Sequence, residues 1–163
     1  MSLHYLATHI GVEPPMLGGS HSPAIWWKSE TGSQWRAYVE GESDPSLQVV
    51  EIRPLISLKG ASHGVIGNYH YIVETDIGKA SEEEFNAWYD IEHLPGLARV
   101  PGTISAKRYV RLSGSPRYIA CYELLSPSVM ESKEWLAVRH TAWSSRIRPM
   151  FLNTVRELFI RQT

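Results

Sequence analysis

A chain of 163 residues, 43% hydrophobic and 20% charged, is long enough for one well-filled core and reads as an ordinary globular protein. Its net charge is −1 and its 16 Lys and Arg residues are scattered, so it lacks the basic stripe a nucleic-acid backbone needs and no nucleic-acid partner is expected. One cysteine, Cys121, excludes an internal disulfide and a multi-cysteine zinc site, and no apolar run is long enough to span a bilayer, so no membrane partner is expected.

In chain order, residues 1–66 form the first unit, a strand-rich N-terminal extension. Leu3 to Ile10, Ala24 to Lys28, Gln34 to Glu40 and Leu47 to Ile56 are the strand candidates, separated by turn clusters at Pro14-Pro15, Gly18-Gly19 and Gly41 to Pro45. Trp26, Trp27 and Trp35 require that this extension pack against something. A degenerate first half of a tandem repeat is the alternative; against it, the segment holds no counterpart of the acidic helix start or the Trp-Tyr-x-x-Glu-His pattern found further on.

Residues 67–163 form the second unit, and its pattern is regular. Asn68 to Thr75 is β-branched and aromatic, a first strand. Ser81 followed three residues later by Glu84 predicts a capping box, and Pro95 with Gly96 predicts the stop, giving a helix over Glu82 to His93. Thr103 to Leu112 alternates, with Ile104, Ala106, Arg108, Val110 and Leu112 on one face and Ser105, Lys107, Tyr109 and Arg111 on the other. Ser113 to Pro116 is a turn into a third strand, Arg117 to Leu124. Ser126-Pro127 opens a second helical region over Val129 to His140, extended by a short helical stretch from Trp143 to Ile147, and Phe151 to Ile160 closes the unit as a strand. The order β-α-β-β-α-β is the ferredoxin-like α+β unit, an antiparallel sheet with both helices on one face.

At about 100° per residue Phe85, Trp88, Tyr89 and Glu92 share a stripe of the first helix, with His93 on its flank. A carboxylate there must be paired or shifted in pKa, and the plain alternative is one structural hydrogen bond at the helix end. His93 at a helix C-terminus is favoured as a cation and has its own plain alternative, a simple cap. The pair is adjacent in sequence, so the two groups do not face one another.

The residues Phe85-Asn86-x-Trp88-Tyr89-x-x-Glu92-His93-Leu94-Pro95 and Val100-Pro101-Gly102-x-x-x-Ala106-x-Arg108-Tyr109 resemble the dimeric α+β barrel superfamily, nearest to the EthD-like proteins. The resemblance covers about Gly67 to Ile160 and implies a homodimer, in which two subunits each give a four-stranded sheet to one barrel, with a pocket between each sheet and its helices. It also implies a choice among cofactor-free monooxygenases, lactone isomerases, polyketide cyclases and haem-degrading proteins, which fold alone does not make. The haem-degrading members use an Asn, Trp and His set; Asn68, Trp135 and His140 are present here without matching spacing.

The functional expectation is a cofactor-independent enzyme that moves a proton on a small aromatic, lactone or polyketide-like ligand. His93 and Glu92 are the candidate catalytic residues, the imidazole because its pKa lies near neutrality and the carboxylate as a desolvated base unless Arg108 pairs with it. Trp88, Tyr89, Tyr71, Tyr109 and Trp135 are candidate walls for a planar ligand, with the core of the fold as their alternative role; His70, Arg108 and His140 complete the substrate-binding set. His70 alternates away from Tyr69 and Tyr71, so only one of these sets can face the helices. Neither helix carries His-x-x-x-His or Glu-x-x-His spacing, so no metal and no cofactor is expected. No secretory pattern opens the chain, which makes the cytoplasm its expected location. The contrasting expectation is a ligand-binding or stress-associated module without turnover.

Overall fold

The computed structural model describes residues 2–15, 25–42 and 44–163. The turn expected at Gly18-Gly19, the Ala24 start of the second strand and Ser43 of the third turn cluster lie outside these residues. Eight strands close into a barrel: β1 (His4–Ile10), β2 (Trp27–Ser29), β3 (Gln34–Glu40), β4 (Gln48–Lys59), β5 (Tyr69–Ile77), β6 (Thr103–Arg111), β7 (Tyr118–Leu124) and β8 (Phe151–Arg161), in the order β1-β3-β2-β8-β5-β7-β6-β4. The run β8-β5-β7-β6 is the ferredoxin-like sheet that the pattern of residues 67–163 predicts.

The resemblance expects the second sheet to come from a second subunit; here it comes from the same chain. β4 pairs antiparallel with β6, opposing Ile52 to Arg111, and β2 pairs antiparallel with β8, opposing Trp27 to Arg161. Both edges of the ferredoxin-like sheet are thereby filled, which leaves its end strands no unpaired ladder to offer. Within the first sixty residues the order β4-β1-β3-β2 repeats that of the second half, with the fourth, first, third and second strands in the same sequence. No helix lies between β1 and β4 among the described residues. Gly60, just past β4, is set so close to β6 that a Cβ there would sit 2.0 Å from the Thr103 carbonyl oxygen, so only glycine fits.

The helices cover one face of the second sheet: α1 (Glu82–Trp88), α2 (Leu94–Ala98), α3 (Lys133–Arg139) and α4 (Ala142–Ile147). Ser81 does not cap α1. It sits in a 3₁₀ turn, Lys79–Ser81, with helical backbone angles, and its side chain accepts no capping bond, while Glu84 pairs outward with Arg146 at 2.6 Å. Pro95 does not stop the helix either. A single π-type turn, Tyr89–His93, joins α1 to α2, and the Leu94 N–H bonds the Tyr89 carbonyl five residues back, so the helix runs on past the proline's missing N–H. The second helical region is broken by a 3₁₀ segment, Pro127–Glu131, with Ser132 and Thr141 as side-chain caps of α3 and α4.

Alternation along the strands divides the core into two layers. Tyr69 and Tyr71 of β5, Ala106 and Val110 of β6, and Tyr118, Ala120 and Tyr122 of β7 pack with Phe85, Trp88, Leu97 and Trp135 beneath the helices. His70 and Tyr109 face the other way, into the barrel, with Trp27, Ile72, Cys121 and Phe159. Deep among these apolar side chains Glu74 bridges Arg36 at 2.7 Å and Arg111 at 3.0 Å.

Candidate functional site

A cleft opens between the helices and the second sheet, with about 350 Å³ of empty space including its mouth. Its floor is Tyr71 and Val73 of β5 and Tyr122 of β7; its walls are Trp88, Tyr89, His93 and Leu97 on one side and Trp135 on the other. Phe151, Arg139, Arg148 and Arg156 complete the lining. Aromatic rings set the geometry: Tyr122 meets Trp135 edge-on at 5.3 Å and stacks with Tyr71 at 6.2 Å.

His93 is 7% exposed, and its ring stacks on Trp88 with centroids 4.2 Å apart while meeting Tyr89 edge-on at 5.4 Å. The expectation of a cationic imidazole at a helix C-terminus is overturned, because the helix continues into α2 and offers no free carbonyl end there. Burial, reinforced by Arg148, Arg139 and Arg108, lowers the His93 pKa to about 3, so the ring is neutral. Its Nδ1 is buried without a hydrogen-bond partner, as are the Trp88 Nε1 and the Tyr122 hydroxyl. Burial pushes the Tyr89 hydroxyl up to about 12 and that of Tyr122 well above the usual range, so both stay protonated near neutrality.

Glu92 is not in the cleft. The π-type turn rotates it out of the buried stripe, and its carboxylate accepts a hydrogen bond from the Thr141 hydroxyl, the group that also caps α4. Its partner is therefore structural, and Arg108 does not pair with it. Replacing Glu92 with glutamine is expected to leave ligand handling unchanged and to cost at most about 1 kcal/mol in urea unfolding. A loss of activity without loss of stability would return Glu92 to the chemistry.

Trp88, Tyr89, Tyr71 and Trp135 converge on this cleft with His93, but the other sequence candidates do not. Arg108 is 1% exposed under the first helix, donating to Asp90 at 3.0 Å and Asn86 at 2.8 Å with its guanidinium 4.2 Å from the Tyr89 ring. It holds the helix to the sheet. His70 and Tyr109 point into the barrel, where His70 bonds the Tyr38 hydroxyl at 2.9 Å and stacks on Trp27. His140, past the end of α3, is exposed and absent from the lining, and its neighbour Arg139 reaches the cleft instead. Asn68 is exposed as well, so the Asn, Trp and His set of the haem-degrading members does not assemble around Trp135.

Tyr122, Arg139, Arg148 and Arg156 were not singled out by sequence. Only Tyr122 had a local signal, sharing the helix-facing side of β7 with Ala120; the three arginines come from separate elements and meet only through the fold. The barrel mouth beside Trp27, Tyr38, His70, Tyr109 and Cys121 is the roomier space, holding about 270 Å³ for water-sized spheres against about 30 Å³ in the cleft. Its His70 and Tyr38, however, satisfy one another, whereas the cleft gathers unpaired polar atoms.

No family model and no curated protein matches this sequence. Among solved structures, a ferredoxin-fold protein related to antibiotic biosynthesis monooxygenases, from Listeria monocytogenes, superposes with a TM-score of 0.65 at 12% identity over 100% of this chain and 96% of its own. An anthrone oxidase-like protein gives 0.66 at 10% identity, covering 99% of this chain and 92% of its own. The likeness is one of fold, a ferredoxin fold. A heme-degrading enzyme from Listeria monocytogenes also matches, at 0.60 and 10% identity, over 97% of this chain and 99% of its own. These structures align along nearly their full length, so the strands β1 to β4 fall within the shared fold. Among the described residues no helix is long and apolar enough to cross a membrane, and no group of three His, Cys, Asp or Glu side chains could hold a metal ion.

Proposed function

We propose that the protein is a cofactor-independent enzyme that transfers a proton on a planar aromatic, lactone or polyketide-like compound bound in the cleft between the second sheet and its helices. The observation that carries this reading is His93: a neutral imidazole with an unpaired Nδ1, fixed by Trp88 in an aromatic-walled cleft. A free ring nitrogen is what a proton acceptor needs, and stacking holds it to one orientation. Its low basicity is matched to a substrate whose anion is delocalised. As an enolate or phenolate forms beside the ring, its negative charge raises the imidazole's proton affinity and offsets the desolvation that suppresses it. Trp88, Tyr71 and Tyr122 supply flat apolar faces for such a ring system, and the Tyr122 hydroxyl supplies a donor for the oxygen on which charge collects.

The test is turnover by the purified protein, treated with a chelator, on a panel of anthrones, hydroquinones and unsaturated lactones, followed by absorbance and product chromatography. Product formation above the protein-free rate, unaffected by the chelator, supports the reading. Saturable binding of these compounds with no product from any of them turns the protein into a binding module and removes His93 as a base.

A further inference from the structure

We propose that the cleft takes a planar aromatic ligand bearing an anionic group, a carboxylate or enolate-type oxygen, held by Arg139, Arg148 and Arg156; this rests on the cleft being the working site. The three side chains line one opening together with His93 and Trp135, and no Asp or Glu lines it. The described salt bridges serve other arginines, namely Arg36, Arg108, Arg111, Arg117 and Arg146. Arg148 instead donates to the backbone carbonyl of Arg139 at 3.4 Å, which brings two of the three cations together without neutralising either.

Gathering three guanidiniums at one opening is unfavourable in itself. Burial and the neighbouring Arg139 and Arg156 lower the Arg148 pKa, the mark of a cation that its surroundings do not stabilise. The chain has 17 Asp and Glu residues to place nearby, and the cleft uses none of them. A bound anion relieves this repulsion, and guanidinium matches carboxylate geometry with two parallel hydrogen bonds. Deeper in, the unpaired Trp88 Nε1 and Tyr122 hydroxyl can meet an oxygen on the ring system, and the aromatic walls take its faces. Apolar ring, inner oxygen and outer negative charge describe one ligand class.

The experiment is titration of the full chain with naphthoate and with its neutral counterpart naphthamide, read by calorimetry and tryptophan quenching, for the wild type and for the Arg139→Gln/Arg148→Gln double variant. The expected result is naphthoate binding about tenfold or more tighter than naphthamide at low salt. That margin should fall several-fold in the double variant, where only Arg156 remains, and shrink as salt is added, with naphthamide affinity unchanged. Equal affinities in the wild type, an anion preference undiminished by the double substitution, or binding of neither probe would overturn the proposal. Anion preference without turnover of any anthrone, hydroquinone or lactone sinks the enzymatic reading and leaves this one standing; turnover of neutral compounds without anion preference does the reverse.

Discussion

Replacing Glu74 with alanine is expected to cost about 3–5 kcal/mol of folding stability. The carboxylate is 4% exposed inside the barrel and neutralises two arginines, Arg36 and Arg111, that come from opposite halves of the chain. Arg36 is itself 6% exposed, so removing its partner leaves a guanidinium in an apolar interior with no countercharge. Two of its nitrogens already lack partners, Nε and Nη1, so little remains to absorb the loss. Urea unfolding followed by far-UV circular dichroism measures the change. A control separates charge from packing: replacing Arg36, Arg111 and Glu74 together with Met, Met and Leu should recover much of the loss, since a buried charge cluster removed whole is often near neutral. A loss below about 1 kcal/mol in the single variant would mean that water reaches the cluster and screens it.

The second large effect falls on activity. His93→Ala is expected to reduce turnover by about 10²- to 10⁴-fold, the usual contribution of a positioned acid or base. The substitution also removes a ring stacked on Trp88, so some destabilisation accompanies it; His93→Gln, closer in size, should keep a cooperative unfolding transition and still lose turnover. The pH profile tests whether the ring works in its neutral state. With its pKa lowered to about 3, His93 is neutral throughout the working range, and the wild-type rate should show no step near pH 6.5. Stability carries the opposite signature. The unfolded chain takes up a proton near pH 6.5 that the folded imidazole refuses until about pH 3, so stability present above pH 6.5 is lost as the pH falls through that window. His70, also lowered to about 3 by burial and by Arg36 and Lys107, adds to the same loss from inside the barrel. A rate that falls with a midpoint near 6.5 while the fold stays intact would place the ring in water and end the argument for a neutral base.

Much of the second half could be read from local pattern, because period-two alternation and turn residues act over a few positions. The face assignment of Ala106, Arg108 and Val110 on β6 needed only the pleat, as did the opposition of His70 to Tyr71. The stop at Pro95 misled because the rule concerns one missing N–H, and a π-type turn satisfies the neighbouring backbone by reaching five residues back. That same turn carried Glu92 away from the stripe that a uniform 100° step had given it. Ser81 and Glu84 fitted the capping pattern, but a preceding 3₁₀ turn and the remote Arg146 took their places. Barrel closure by β1 to β4 and the meeting of Arg139, Arg148 and Arg156 depend on pairing between segments distant in sequence, about which local pattern is silent.

Closure within one chain changes the thermodynamics of the barrel. A sheet edge supplied by a separate molecule must be captured from solution, so its occupancy falls on dilution; an edge supplied in cis is present at the same effective concentration however dilute the protein. The ladders β2·β8 and β4·β6 are of the second kind, and the barrel assembles by a first-order process. Covalent union also releases the two sheets from being copies of one another. One sheet carries four helices and the cleft, while the other carries no helix among the described residues, a division that two identical partners could not adopt.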